Sequence, residues 1–515
     1  MSKPEPPASN VLVSAGRGSL QVVLCGMLVQ LLGFLKLLLI AHWFGVSLEL
    51  DAYYLALVIP ALLQGLVGGA LQTGFVPVYM QLQARDADEA ANLAGQIFVR
   101  LLWGLLVVSI LLSLSSSFIV PALAQGASEG LQALAGQYFH WLAFVCLANS
   151  LIDYFALVMN AHHRFLAAAA GPAINTVISG GVLVFAADYG GAALICGLLL
   201  GLCAQLLFVV LVSQRIPVNI RWVMLPRANT HLNSVYRLIA PVLLGIVLTN
   251  LTVSILQFLA AASGDGGVAS FGYANRLHNV FQQILVMGVS TVLLASFSQL
   301  AAEQKIDELR TLLRSVFRLT LCCCLAVFLF VLFFGPVLVS LLFERGAFDA
   351  AAGDEVTRIW FVLICGLFPI AWGIFLSRLF QAMQRPWFIA RLALMSFVAN
   401  LILMFSLFQL FGLLGVVVGH VVAYAIVAIG HQYYVRELVP HALGVRDIGF
   451  LVGVFGLVPI AWLIERAATA WFDLSIALGN VIMGLAFVLI VAAVGWWSGQ
   501  LSFLYRRWHQ NIGAR

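Results

Sequence analysis

Between residues 20 and 497 the sequence is one apolar run after another. Polar, Pro or Gly breaks separate runs of about 20 residues, the length that crosses the hydrocarbon core of a bilayer. A chain in that medium has no water to satisfy its peptide groups, so each run is expected to close its own hydrogen bonds as a helix. Only 9% of the residues are charged against 63% hydrophobic, and the mean hydropathy is +1.04, which excludes a soluble domain of ordinary composition. About fourteen runs are countable on this criterion. Among them are 20 to 45, 51 to 79, 92 to 117, 133 to 160, 268 to 299, 387 to 410 and 412 to 435, and the last are 447 to 466 and 475 to 497. The fold class is therefore an all-α polytopic membrane protein.

Basic residues fall on alternate loops. With the N-terminus inside, the loops holding Arg85, Arg164, Arg215, Arg221, Arg227, Lys305, Arg310, Arg314, Arg385, Arg436, Arg446, Arg506 and Arg507 are cytoplasmic. The opposite loops hold little beyond Arg345, Arg358 and Arg466, the asymmetry of the positive-inside rule. Both termini are expected in the cytoplasm, with the chain in the plasma (inner) membrane. The net charge of +5 then lies along one membrane face, where anionic lipid headgroups are the natural partner, and needs no nucleic acid. The opening MSKPEPPASN has no small-residue cleavage site after a short apolar core, so it reads as a polar tail before an uncleaved first span. The eight cysteines all fall in expected spans, with neither a disulfide framework nor zinc spacing.

Charges inside spans carry the functional signal. Lys36 lies within GFLKLLLIAHWFG, Asp51 opens the second span, and Arg276 lies in the eighth. A cation inside a membrane costs about 2.5 to 3.5 kcal/mol on insertion scales unless it faces a cavity, so such residues point to a substrate pathway. At 1.5 Å rise per residue, Lys36 and Arg276 both lie about 12 Å below the outer surface, a common depth for one pyrophosphate. Asp51 at the outer mouth is placed to pair with either. Gln30, Gln64 and Gln72 are costly against lipid and are expected to face the cavity, where they can bond sugar hydroxyls. Blander readings stand beside these: Lys36 snorkelling outward, and Arg276 bridging to Asp51. Likewise Arg378 and His420 can be helix-packing residues, and Gly65, Gly68, Gly69 and Gly74 either pack helices closely or let the second span bend. Asp153 is either a packing partner of His162 or Arg164 or part of an inner gate.

The chain also contains an internal repeat. LQTGFVPVYMQLQA near the end of the second span is matched by VSTVLLASFSQLAA about 218 residues later, and NAHHRFLAAAAGPAIN is echoed by QAMQRPWFIARLALMSFVAN. Six spans per half give both halves the same orientation, the parallel arrangement that places a substrate site at the midplane between them. The expected organisation is a tail over 1–19, an N-lobe over 20–213 and a linker over 214–234. A C-lobe follows over 235–435, then two further spans over 436–497 and a basic tail over 498–515.

The run GFLKLLLIAHWFGVSLELDAYYLALVIPALLQGLVGGALQTGFVPVY resembles the start of the MurJ/MviN family, the lipid II flippases of the multidrug/oligosaccharidyl-lipid/polysaccharide exporter superfamily. FGYANRLHNVFQQILVMGVSTVLLASFSQLAAE, LLFERGAFDAAAGDEV and LFQAMQRPWFIARLALMSFVANLIL are similar to the same family. The resemblance implies two six-helix lobes around a cationic cavity, two extra C-terminal spans, and alternating-access movement of an undecaprenyl-diphosphate-linked saccharide to the outer leaflet. It implies substrate-binding roles for Lys36, where the family has an arginine, and for Asp51 and Arg276. Gln30 and Gln64 stand where the family usually carries basic residues, and Asn275 where it has an aspartate, so this cavity is less cationic. Membrane lipids and cell-wall or polysaccharide assembly proteins are the implied partners, with no cofactor.

No Walker loop, zincin pair or nucleophile elbow is present, so an enzyme is not expected. Beside a lipid II flippase stand a flippase for exopolysaccharide or capsule repeat units, a multidrug or cation antiporter, and a non-transporting scaffold. Asn250 and Asn400 are polar candidates for an ion site in the second lobe.

Overall fold

A computed structural model describes residues 8–214 and 230–444, together with Asp447 and Gly449, and every described element is helical. Two compact units divide them: one runs to Ala269 and takes in Arg345–Asp349, and the other holds Ser270–Glu344 and the chain from Ala350. The first unit contains α1 (Ala8–Phe44), α2 (Leu48–Ala70), α3 (Val76–Gln83), α4 (Ala87–Leu114), α5 (Ser116–Leu123), α6 (Glu129–Leu142), α7 (Val145–Ala161), α8 (Phe165–Ala186), α9 (Gly191–Ser213) and α10 (Thr230–Ala262). From the start of α11 (Gly267–Gln282) the chain passes into the second unit, through α12 (Gly288–Ala302), α13 (Ile306–Phe343), α14 (Ala350–Cys365), α15 (Leu367–Ala382) and α16 (Pro386–Leu438).

Among the described residues nine helices are long and apolar enough to span a membrane, and α6 with α7, bent by 40°, makes a tenth. α16 is two spans in one, because Gly412 takes φ 58°, ψ −136° inside it, at the break expected between 410 and 412. The eighth expected span is α11 followed by α12, polar enough to escape a hydropathy criterion that finds only its end, Val292–Ala302. The spans expected over 447–466 and 475–497 lie outside the described residues.

Local chemistry sets the helix starts. Ser47 Oγ accepts the Leu50 N–H to open α2, Asp86 Oδ1 accepts the Asp88 and Glu89 N–H groups at 2.9 and 3.1 Å to open α4, and Ser128 Oγ accepts that of Leu131 to open α6. The repeat has a geometric signature. α7 ends with His163 at φ 60°, the Arg164 N–H donating to the Met159 carbonyl; α15 ends with Gln384 at φ 56°, the Arg385 N–H donating to that of Phe380. In addition, one wide π turn, Leu71–Phe75, joins α2 to α3, and another, Gln283–Met287, joins α11 to α12.

Tyr154, fully buried, centres the first unit's core: it packs on Phe75, Phe98 and Phe155, and its hydroxyl donates to the Ala94 carbonyl at 2.9 Å. α10 lies close along α2 and the π turn after it because both present glycine there. A Cβ on Gly65 would stand 2.4 Å from Asn250 Oδ1, one on Gly69 2.7 Å from Ile246, and one on Gly74 2.4 Å from Ile239. These glycines sit where the two helices pack closely. In the second unit Trp360 is fully buried against Phe281. Along α13, Arg310, Arg314 and Arg318 hold the segment after α16: Arg310 donates to the Pro440 carbonyl, Arg314 to those of His441 and Ala442, and Arg318 to buried Asp447 at 2.8 Å. Part of the charge expected to face lipid is thus used inside the fold.

The segment Arg345–Asp349, from the LLFERGAFD motif, packs in the first unit. Its Ala347 N–H donates to the His42 carbonyl at 2.9 Å, Gly346 has φ 66°, and a Cβ there would stand 2.3 Å from that same carbonyl oxygen. Gly346→Ala is therefore expected to lower stability by about 1–3 kcal/mol through left-handed strain and the clash. Thermal unfolding of the detergent-purified protein checks it against Gly181→Ala in α8, where a Cβ meets nothing within 4 Å and no loss is expected.

Candidate functional site

Each charged or amide residue singled out by the sequence has a definite place. Lys36 is half-buried on α1, among buried Leu37, Ile40 and Ala41. Gln30, on the same helix, is exposed, and six residues at 3.6 per turn set it about 120° around the axis from Lys36. The two do not share a face. Arg276 is exposed on α11, beside half-buried Asn275.

Asp51 is fully buried in the first turn of α2. Its Oδ2 accepts the Gly266 N–H at 2.5 Å and its Oδ1 that of Ala269 at 2.7 Å, so the carboxylate caps the N-terminus of α11. The first N–H groups of a helix lack intrahelical acceptors and carry partial positive charge, and a carboxylate answers both. The charge at the mouth of the second span is thereby engaged with backbone.

Gln64 also has a partner. Its Nε2 donates to Asp153 Oδ2 at 3.2 Å, joining α2 to α7, and Gly68 leaves room for that same oxygen, 3.2 Å from where its Cβ would stand. Asp153 thus takes an amide of α2, not His162 or Arg164. His162, just past the end of α7, instead meets Tyr79 Oη at 2.8 Å and Gln83 Nε2 at 3.0 Å. Burial, with His163 beside it, holds the His162 imidazole below its usual range, so it serves as a neutral hydrogen-bonding group.

In the second unit the packing readings hold. Arg378 Nε donates to Ser290 Oγ at 2.8 Å and its Nη1 to Gln381 Oε1 at 3.0 Å. His420 Nδ1 meets Asn400 Oδ1 at 2.7 Å, while Asn400 Nδ2 donates to the Ser396 carbonyl. In the first unit Asn250 Nδ2 turns back to the Ile246 carbonyl of its own helix. No group of three or more His, Cys, Asp or Glu residues suited to a metal occurs among the described residues.

Sequence reading passed over Arg100, a half-buried cation within α4 whose Nη1 reaches, among the described residues, only Gln96, at 3.4 Å from its carbonyl and 3.3 Å from Oε1. The depth argument applied to Lys36 would have found it.

Comparison with known proteins follows the same line. The family model described as "Lipid II flippase MurJ" matches residues 40–482. A probable lipid II flippase MurJ of Rhizobium meliloti (strain 1021) is 27% identical over 354 residues, 66% of this chain and 65% of that protein; that of Synechocystis is 26% identical over 460 residues, 85% of each. The chain thus aligns with just under two thirds of the length of the Rhizobium relative. Among solved structures, a lipid II flippase MurJ in an inward closed conformation superposes with a TM-score of 0.76 at 18% identity, covering 92% of this chain and 98% of its own. An inward-facing multidrug MATE transporter gives 0.69 at 18% identity, covering 82% and 98%. These likenesses of structure establish the fold.

If Asp51 is a cap, Asp51→Asn loses one of two charge-assisted acceptors and turns an amide N–H toward a backbone N–H. It should cost about 1.5–3 kcal/mol of stability. Thermal unfolding of the detergent-purified protein reads the loss.

Proposed function

The chain belongs to the MurJ family, and from that membership we propose that it is a flippase moving an undecaprenyl-diphosphate-linked saccharide, lipid II itself in the first place, from the inner to the outer leaflet. Membership over residues 40–482 is the observation that carries this reading. Lys36 and Arg276 are its phosphate-binding residues, one on the first span of each repeat's opening pair and the other on the second. A lysine meets a phosphate as a compact point charge, whereas an arginine offers a planar fork, so Arg276 supplies orientation and Lys36 charge. Asp51 acts through the helix it caps: it fixes where α11 begins and so where along the bilayer normal Arg276 stands. Gln30 serves sugar hydroxyls, and Gln64, held by Asp153, has its second amide hydrogen and its carbonyl left for them.

The two lobes work by alternating access in the cytoplasmic membrane with both termini inside, as six spans per half and the placement of basic loops support. Fourteen spans remain the proposed count, with the last two over 436–497. The chain acts as a transporter without covalent chemistry. A neutral repeat unit on the same pyrophosphate carrier is a second cargo, favoured by glutamines at positions 30 and 64 where basic residues are usual in the family. An antiporter reading rests on Asp153, because Asp51 is engaged as a cap.

Lys36→Ala and Arg276→Ala should each reduce lipid II accessibility outside spheroplasts by about tenfold or more, the rate equivalent of one lost charge-assisted contact, at unchanged membrane insertion. Wild-type accessibility in both variants removes the site assignment. Complementation of a strain depleted of its lipid II flippase separates the cargoes. Growth supports lipid II, and failure to grow, with surface polysaccharide restored in a strain lacking its exporter, supports the neutral repeat unit. Drug export abolished by Asp153→Asn would support the antiporter.

A further inference from the structure

The first unit contains a cleft of about 200 Å³ between α2 with its π turn, α4 and α10. Its walls are hydrocarbon: Val67, Leu71 and Phe75 on one side, Leu101, Leu232 and Ile239 on the others. The π turn shapes it, because the wide turn carries both Leu71 and Phe75 to the wall, and Thr73 Oγ1 donates to the Gly69 carbonyl at 2.8 Å within that turn. An apolar cavity of about 150 Å³ stays dry and takes up hydrocarbon, so a cleft of this size suits a length of acyl chain better than water.

Two polar side chains interrupt the apolar lining. Arg100 is half-buried at the edge, and among the described residues its bonds run to Gln96 alone, both long and both from Nη1. A guanidinium has five N–H donors, and those on Nε and Nη2 are left to seek an acceptor in a medium that supplies none except lipid headgroups. Tyr236, 56% exposed, adds an amphipathic ring of the kind that settles at the headgroup level. A hydrocarbon slot with one cation at its rim matches an anionic amphiphile: tail in the slot, phosphate on the arginine.

We propose that this cleft binds one acyl chain of an anionic phospholipid of the phosphatidylglycerol class, in the leaflet bordering the α3–α4 turn, with its phosphodiester on the Arg100 guanidinium. The site lies wholly within the first unit and is separate from Lys36 and Arg276. Its occupant would brace α10 against α2 and α4.

The test reconstitutes the full chain in nanodiscs with phosphatidylglycerol or phosphatidylcholine carrying the same diazirine-labelled acyl chain, and maps photo-adducts by peptide mass spectrometry. Phosphatidylglycerol should label residues 97–101 and 232–239 roughly fivefold more than phosphatidylcholine, the factor for one basic residue at an anionic surface. Arg100→Gln should equalise the two lipids, Arg100→Lys should keep part of the preference, and Ala70→Leu, which narrows the slot, should reduce labelling by both. Equal labelling in wild type, or a preference untouched by Arg100→Gln, overturns the proposal. So does labelling that Ala70→Leu leaves intact. Competition by undecaprenyl phosphate stronger than by unlabelled phosphatidylglycerol at equal mole fraction also overturns it, because the occupant is then the carrier lipid.

Discussion

A buried carboxylate holds the helix start on which the proposed site depends. Asp51 takes no share of water, and an ion deprived of water loses several kcal/mol of solvation that only close, well-aimed donors restore. The N–H groups of Gly266 and Ala269 are such donors, fixed by the start of a helix whose partial charge has the right sign. Each side of the contact satisfies an obligation of the other: α11 needs acceptors for its first turn, and Asp51 needs donors. The contact also spans 215 positions of sequence between Asp51 and Gly266, linking the second span to the loop ahead of the eighth.

Around that anchor, α2 is the helix the first unit is arranged on. Glycines at 65, 69 and 74 let α10 approach to the backbone, and Gln64 reaches α7 through Asp153. With lipid tails as apolar as leucine, dispersion contacts and a few internal hydrogen bonds must do what the hydrophobic effect does in water. The glycines supply the first and the amide–carboxylate pair the second.

What was legible in the sequence was local or periodic. Most of the expected spans follow from runs of apolar residues, and the repeat from junctions whose left-handed residues, His163 and Gln384, fall at equivalent places. What was not legible depended on which distant group a side chain meets. The backbone partners of Asp51 stand 215 and 218 positions away and are not visible in one dimension. Asp153 and His162, nine residues apart on one helix end, read as partners, yet each turns to α2 or α3 instead. The π turns left no trace, since LQTGF and QILVM are ordinary helical sequence. Arg100 was legible too, as the one charged residue in the apolar run 92 to 117.

The segment Arg345–Asp349 gives the chain an order of assembly. It follows α13, yet it packs with residues that left the ribosome long before, against the His42 carbonyl at the end of α1. At synthesis rates of roughly 5 to 20 residues per second, the stretch from Ala269 to Asp349 takes on the order of 4 to 16 s to emerge. Through that interval the early spans are inserted but lack their last piece, with the turn at Gly45 uncovered. The nascent first unit therefore waits for a short peptide made later to close it.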